Sequence, residues 1–206
     1  VDFNRSFSPF MQLIKKHVAM RTNPLMISYE MNVGMLPRDH WIQSPQNGGR
    51  IIGEACHIFE LFCFLTDSLP ASVHVQTPFI DNNSFACTDN VIATVKMKDG
   101  SCCNLLYTAM GNGIAGKEHI KIHVDGKTIV MHDYVSLEGH GFSKSFSQKV
   151  RTQDKGHEAL LKLFFASTQD TDFIVPVPFE RIIAATRLSL IVDQLARRGG
   201  GISNAF

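Results

Sequence analysis

Glu54, His57 and Glu60 stand three residues apart and are the only charged or imidazole side chains between Ile51 and Leu65. On a helix, residues three apart are surface neighbours. A carboxylate beside an imidazole sets its tautomer and raises its pKa, which suits proton transfer near neutral pH. On spacing alone, the simpler reading is a core histidine hydrogen-bonded to a helix neighbour. Asn47, Gly48 and Gly49 precede this segment. Two glycines opening a helix leave backbone N–H groups and the positive helix end accessible to a polar ligand. The polar stretch before them carries Arg38, His40 and the single tryptophan, Trp41. A polar loop of this length inside a compact domain is often functional. The plainer reading makes Trp41 a loop anchor and Arg38 a solvated charge.

Other chemistries are weaker. Nine histidines and five cysteines include no HExxH, CxxC or HxH spacing, so no metal site is expected. Gly111, Gly113 and Gly116 spell G-x-G-x-x-G, but residues 117–124 alternate as a strand. A dinucleotide fingerprint needs a helix there, so no cofactor-binding residue is assigned. Asp154 as a cap and Glu158 in a first turn account for the Lys155-Gly156-His157 cluster. Arg197 and Arg198 complement a helix C-terminus.

The elements that must position these residues follow from periodicity. Residues 8–20 read as a helix with Ser8 as cap and Pro9 in the first turn. Residues 25–33 alternate as a strand, with Leu25, Ile27, Tyr29, Met31 and Val33 on one side. A loop over 34–49 follows, long enough to be functional. Residues 50–65 form a helix that is apolar nearly all round and therefore buried. From residue 72 to about 150 strands dominate, with Asp99-Gly100 and Asp125-Gly126 as hairpin turns. Strands are expected at 91–97, 102–108, 120–124, 128–131 and 142–150. A helix capped by Asp154 runs to Phe165, and Pro176 and Pro178 introduce a last helix, 179–197, ended by Gly199-Gly200-Gly201. The order predicts an α+β fold: a large, mainly antiparallel open sheet with helices on one face. If its other face is apolar, a second copy is the expected cover.

Composition sets limits. The chain has 206 residues, 44% of them hydrophobic and 19% charged. Ample apolar material excludes a disordered chain. A net charge of +1 supplies no field for nucleic acid or an anionic membrane. No apolar run reaches the roughly 18 residues of a membrane span. Odd, irregularly spaced cysteines argue against a disulfide framework and for a reducing cytoplasm.

The segment Gly48-Gly49-Arg50-Ile51-Ile52-Gly53-Glu54-Ala55-Cys56-His57, followed by Ile58-Phe59-Glu60-Leu61, resembles the C-terminal domain of the glucose–fructose oxidoreductase / inositol dehydrogenase (Gfo/Idh/MocA) family. The segments 1–9, Asp39-His40-Trp41-Ile42, Asp99-Gly100-Ser101, Lys117-Glu118, Asp154-Lys155-Gly156-His157 and Pro176-Val177-Pro178-Phe179 agree in order. The resemblance covers essentially the whole chain, 1–206. It is closest to members of bacterial sugar and surface-polysaccharide metabolism. It implies one substrate-binding and oligomerisation domain of a longer oxidoreductase. The missing N-terminal Rossmann domain would bind NAD or NADP and supply a lysine, and the substrate would be a sugar, polyol or nucleotide-sugar. His57 matches the catalytic histidine, with Glu54 in support and Arg38, His40, Trp41, Asn47, Gly48 and Gly49 on the substrate side. Many members carry Asp where this chain has Gly53, which keeps open a non-catalytic binding or scaffold module. The isolated chain is expected to be inactive, and the enzyme a homo-oligomer through its sheet face.

Overall fold

The computed structural model describes residues 3–37, 39–79, 87–169 and 177–206. Arg38, Pro176 and part of the segment after residue 79 lie outside them. A short 3-10 turn, Asn4–Phe7, leads into helix α1 (Pro9–Val18). Pro9 occupies the first turn, but the Ser8 side chain makes no capping bond, and its buried hydroxyl has no hydrogen-bond partner. The helix also stops short of the expected Met20.

Strand β1 (Met26–Asn32) buries Ile27, Tyr29 and Met31, exposes Met26, Ser28 and Glu30, and ends on the buried Asn32. After the loop, the second helical stretch opens with a π-helical turn, Ile51–Ala55, and continues as α2 (Cys56–Thr66). Every residue of α2 except His57 is buried. Strands β2 (Pro70–Gln76), β3 (Asn90–Met97), β4 (Cys102–Thr108), β5 (Glu118–Val124), β6 (Lys127–His132), β7 (Ser136–His140) and β8 (Phe146–Lys149) follow. Helices α3 (His157–Gln169) and α4 (Phe179–Arg197) and strand β9 (Gly200–Ser203) complete the chain.

Among the described residues nine strands form one sheet in the order β8-β7-β6-β5-β1-β4-β3-β2-β9. Only β1 and β4 run parallel; the other neighbours are antiparallel. The fold is α+β, as expected. Helix α2 packs beside α4, which also lies against β2 and β9, and its Phe59, Leu61 and Phe62 share one core with the inward rows of the strands. The other sheet face is open in this chain, and Met26, Ile92 and Ile202 stand exposed on it. Helix α3 runs past Phe165 and buries none of its residues; it rests mainly on the Asn4–Phe7 turn. Asp154 closes a turn by accepting from the Gly156 N–H at 2.8 Å instead of capping α3.

Two further expectations need correction. The single strand expected over 142–150 is shorter, and an unexpected strand, β7, precedes it. The glycines after α4 do more than end a helix. Gly200 and Gly201 begin edge strand β9, which pairs with β2. A side chain at Gly200 would start 2.8 Å from the Val75 carbonyl oxygen, so only glycine permits that pairing distance.

Candidate active site

The helix that carries Glu54 and His57 starts at the C-terminal ends of β1 and β4. Register places Tyr107 of β4 and Glu118 of β5 on either side of Met31. Arg50 anchors the helix start to this strand end. Its guanidinium donates to the Gly34 carbonyl at 2.8 Å, the Val33 carbonyl at 3.2 Å and the Tyr107 hydroxyl oxygen at 3.1 Å. Each bond satisfies a carbonyl or hydroxyl that the strand ends would leave unpaired.

Glu54 lies within the π-helical turn. Its carboxylate accepts from the Lys117 ammonium at 2.6 Å, the Tyr107 hydroxyl at 2.6 Å and, at 3.5 Å, Arg50. Burial works against its charge, but the hydrogen bonds from Lys117 and Tyr107 and the nearby cations outweigh it. The carboxyl is held below its ordinary value. Burial and the Glu54 charge push the Tyr107 phenol well above its own, so the phenol stays a donor. The two short hydrogen bonds of Glu54 therefore run to the sheet end, to Tyr107 of β4 and to Lys117 beside β5.

His57 sits in the first turn of α2, half-buried, with its ring edge-on to Phe3 at 5.8 Å between centroids. Its neighbour Cys56 is buried, and burial pushes that thiol up to about 11, which leaves it protonated and a poor nucleophile. Three residues further, Glu60 is fully buried 2.8 Å from Arg181. The three residues thus have three different surroundings: Lys117, Tyr107 and Arg50 for Glu54, Phe3 for His57, and Arg181 of α4 for Glu60.

The loop over the helix start is braced by its own bonds. The His40 ring accepts from the Ile42 N–H at 3.3 Å. The Asn47 amide donates to the Trp41 carbonyl at 2.7 Å and to Ser44 at 3.1 Å. Trp41 is 65% exposed and tilts against His40 at 5.7 Å. Ile42 reaches to 3.8 Å from the position a Gly53 side chain would take, so this loop stands over the turn that precedes His57. Gly49, where the helix starts, is met from the other side by Arg197 of α4, itself paired with Asp193. The structure thus gathers His40, Trp41, Asn47, Gly48 and Gly49 around the helix start, while Arg38 lies outside the described residues. Sequence reasoning missed Arg50, Tyr107 and Lys117.

A cleft of about 360 Å³ lined by Ile92, Leu106, Tyr107 and Met110 among others shares only Tyr107 with this cluster. The Gly111–Gly116 stretch passes through one 3-10 turn into β5, without the helix that would hold a pyrophosphate. It does not fit a nicotinamide dinucleotide. Among the described residues no group of three His, Cys, Asp or Glu side chains could hold a metal ion. Nor is any helix among them long and apolar enough to cross a membrane.

A second buried cluster braces the chain start beside His57. Glu118 accepts from Arg5 at 2.8 and 3.1 Å, from Tyr29 at 2.6 Å and from Lys155 at 2.6 Å. Burial alone would raise its pKa; the bonds from Arg5 and Lys155 reverse that and hold it at about 2.

No protein-family model matches the chain, and no curated protein matches it. Solved structures do. The chain is similar to UDP-N-acetylglucosamine 3-dehydrogenase GnnA from Acidithiobacillus ferrooxidans, with TM-score 0.72 and 14% identity, over 94% of this chain and 59% of that one. It is similar to aldose-aldose oxidoreductase from Caulobacter crescentus, solved with glycerol, with TM-score 0.77 and 12% identity, over 98% and 62%. It is also similar to the WlbA dehydrogenase from Bordetella pertussis, solved with NADH and UDP-GlcNAcA, with TM-score 0.70 and 15% identity, over 99% and 62%. The chain therefore spans about three fifths of the length of these proteins and has the fold of their C-terminal part.

Proposed function

We propose that this chain is the substrate-side and oligomerisation domain of an NAD(P)-dependent oxidoreductase of the Gfo/Idh/MocA type, acting on a sugar, polyol or nucleotide-sugar. The observation that carries this reading is the fold shared over nearly the whole chain with sugar and nucleotide-sugar oxidoreductases. His57, half-buried in the first turn of a buried helix, is the residue this reading takes as the catalytic histidine, from the resemblance of the segment 48–61. In this reading the dinucleotide belongs to a Rossmann domain outside this chain. The chain's own contribution is a proton: the His57 imidazole takes one from a substrate hydroxyl during oxidation and returns one to a carbonyl during reduction. Trp41 offers an aromatic face to a sugar ring, and His40, Asn47 and the Gly48-Gly49 turn offer polar groups. The exposed apolar residues of the open sheet face support a homo-oligomer formed there. The free thiols of Cys56, Cys63, Cys102 and Cys103 suit a reducing cytoplasm.

A second reading, a non-catalytic module of the same fold, draws on one observation. Gly53 supplies no acid beside His57, and Glu54 is committed to Lys117 and Tyr107. The substitution His57→Ala in the native gene product separates the two. Hydride transfer lost with the melting temperature preserved is the expected result. Turnover retained, measured as reduced nicotinamide formed with UDP-N-acetylglucosamine, myo-inositol or glucose, would remove His57 from the mechanism.

A further inference from the structure

We infer that Tyr107 and Lys117 are positioning residues for His57, clamping Glu54 and thereby fixing the π-helical turn from which the histidine's helix departs. The inference rests on the reading of His57 as the proton-exchanging group.

The turn Ile51–Ala55 is wider than an α-helical turn, a geometry that is rare and is found mostly as single turns inside longer helices. Its own sequence does little to hold it, since Gly53 at its centre is a weak helix former. Something outside the helix must select it. Glu54 is the one charged side chain of the turn, and both of its oxygens are engaged: one with Lys117, the other with Tyr107 and Arg50. Tyr107 is fully buried on β4, and Lys117 directly precedes β5. Those strands flank β1 on its two sides, so the carboxylate spans the end of three adjacent strands. Arg50, at the N-terminal edge of the turn, ties both to Tyr107 and to the carbonyls that end β1. The turn is therefore fastened at its start and at its fourth residue to one rigid edge.

The consequence for His57 is geometric. A π turn contains one residue more than the α turn it replaces. Relaxation to α geometry would rotate the helix before the turn against the helix after it by about 100°. Buried α2 cannot rotate, so the change would fall on residues 50–57. His57 would lose its set direction, and proton transfer tolerates little displacement. Glu54 thus serves the histidine without touching it, through the shape of the turn.

The test uses the native gene product with NAD+ and NADP+, and UDP-N-acetylglucosamine, myo-inositol and glucose as probes. The variants are Tyr107→Phe, Lys117→Met, Lys117→Arg and His57→Ala. Tyr107→Phe removes one hydroxyl from a filled site, so it should fold. The expected result is a kcat about tenfold lower in Tyr107→Phe and Lys117→Met with KM nearly unchanged. Lys117→Arg should recover most of it. Amide exchange across residues 50–57 should quicken in the two damaging variants and stay slow in α2 beyond Glu60. Loss of activity in His57→Ala alone, with normal kcat and normal exchange in Tyr107→Phe and Lys117→Met, overturns the clamp and leaves the proton-transfer reading intact. Activity retained in His57→Ala overturns that reading and the positioning role with it. Reduced kcat with unchanged exchange also overturns the clamp, because the two residues would then act on substrate directly. If none of the three probes turns over, exchange decides alone: unchanged protection at 50–57 in both variants rejects the inference.

Discussion

Glu60 is the residue whose replacement tests the electrostatic reasoning most directly. It lies on α2, fully buried, 2.8 Å from the Arg181 guanidinium of α4, which in turn lies over the Phe64 ring. Burial pushes its carboxyl up from 4.5 to about 7, and the Arg181 charge recovers only part of that. A folded pKa above the unfolded one means that the native state binds the extra proton between those values. The contribution to stability is then fully present below pH 4.5 and is lost as pH rises through about 7. An interval of about 2.5 pH units corresponds to about 3 kcal/mol across that window. Glu60→Gln keeps the shape and removes the titration. Urea denaturation of both proteins, followed by circular dichroism at several pH values, gives the difference in stability, in which the other titrating groups cancel. That difference should be small near pH 5, where Glu60 is protonated in the folded state like the amide, and move toward the variant by about 3 kcal/mol near pH 8. A difference that is flat over this range would refute the argument. Glu60 would then be ionised throughout, with Arg181 fully offsetting its burial, and the variant would be uniformly weaker by the roughly 3–5 kcal/mol of a broken buried pair.

Glu118 should behave with the opposite sign. Its pKa is depressed to about 2, so its contribution of about 3 kcal/mol is present above pH 4.5 and lost as pH falls through about 2; Glu118→Gln should be destabilised at neutral pH and match the wild type in acid, by the same denaturation series. Gly156→Ala should lower stability by about 2 kcal/mol or more, read as a fall in melting temperature, because φ is +86° and the new carbon would lie 2.5 Å from the Ser8 nitrogen.

Where a segment's own pattern decides its structure, the sequence reading was sufficient. Strands β1, β3, β4 and β5 alternate because one face of each meets the helices, and the Asp-Gly turns close their hairpins. The strands that were missed lack that signal. In β7 the inward position 139 is a glycine, and the Phe146 ring of β8 fills the space its side chain would take. The inward row is completed from a neighbouring strand, which no local pattern reveals. In β9 the glycines that mark a helix end also allow the close approach to β2. The length of α3 was underestimated for a related reason: with no buried stripe, nothing in its periodicity marks its end.

The candidate site was legible at His57, Glu54 and the glycines before them, all of which belong to one segment. Its supports lie 53 and 63 residues further along the chain, Tyr107 on β4 and Lys117 just before β5, both on Glu54. A signal for Tyr107 existed, because a phenol on the inward face of an alternating strand needs a polar partner. The sequence could not say which partner. The adjacent pair Lys117-Glu118 shows why the two clusters belong together. Lys117 turns to Glu54 and the helix start, while Glu118 turns to Arg5 and the chain start, where Phe3 meets the His57 ring. His57 therefore has one cluster behind its Phe3 contact and the other three residues back along its own helix, at Glu54. Lys117 and Glu118 both reach partners on the helix-covered side of the sheet, so a slip of β5 by one residue would disengage both clusters at once. The register of β5 against β1 is thus as much a part of the site as the histidine, although no residue of that strand needs to touch a substrate.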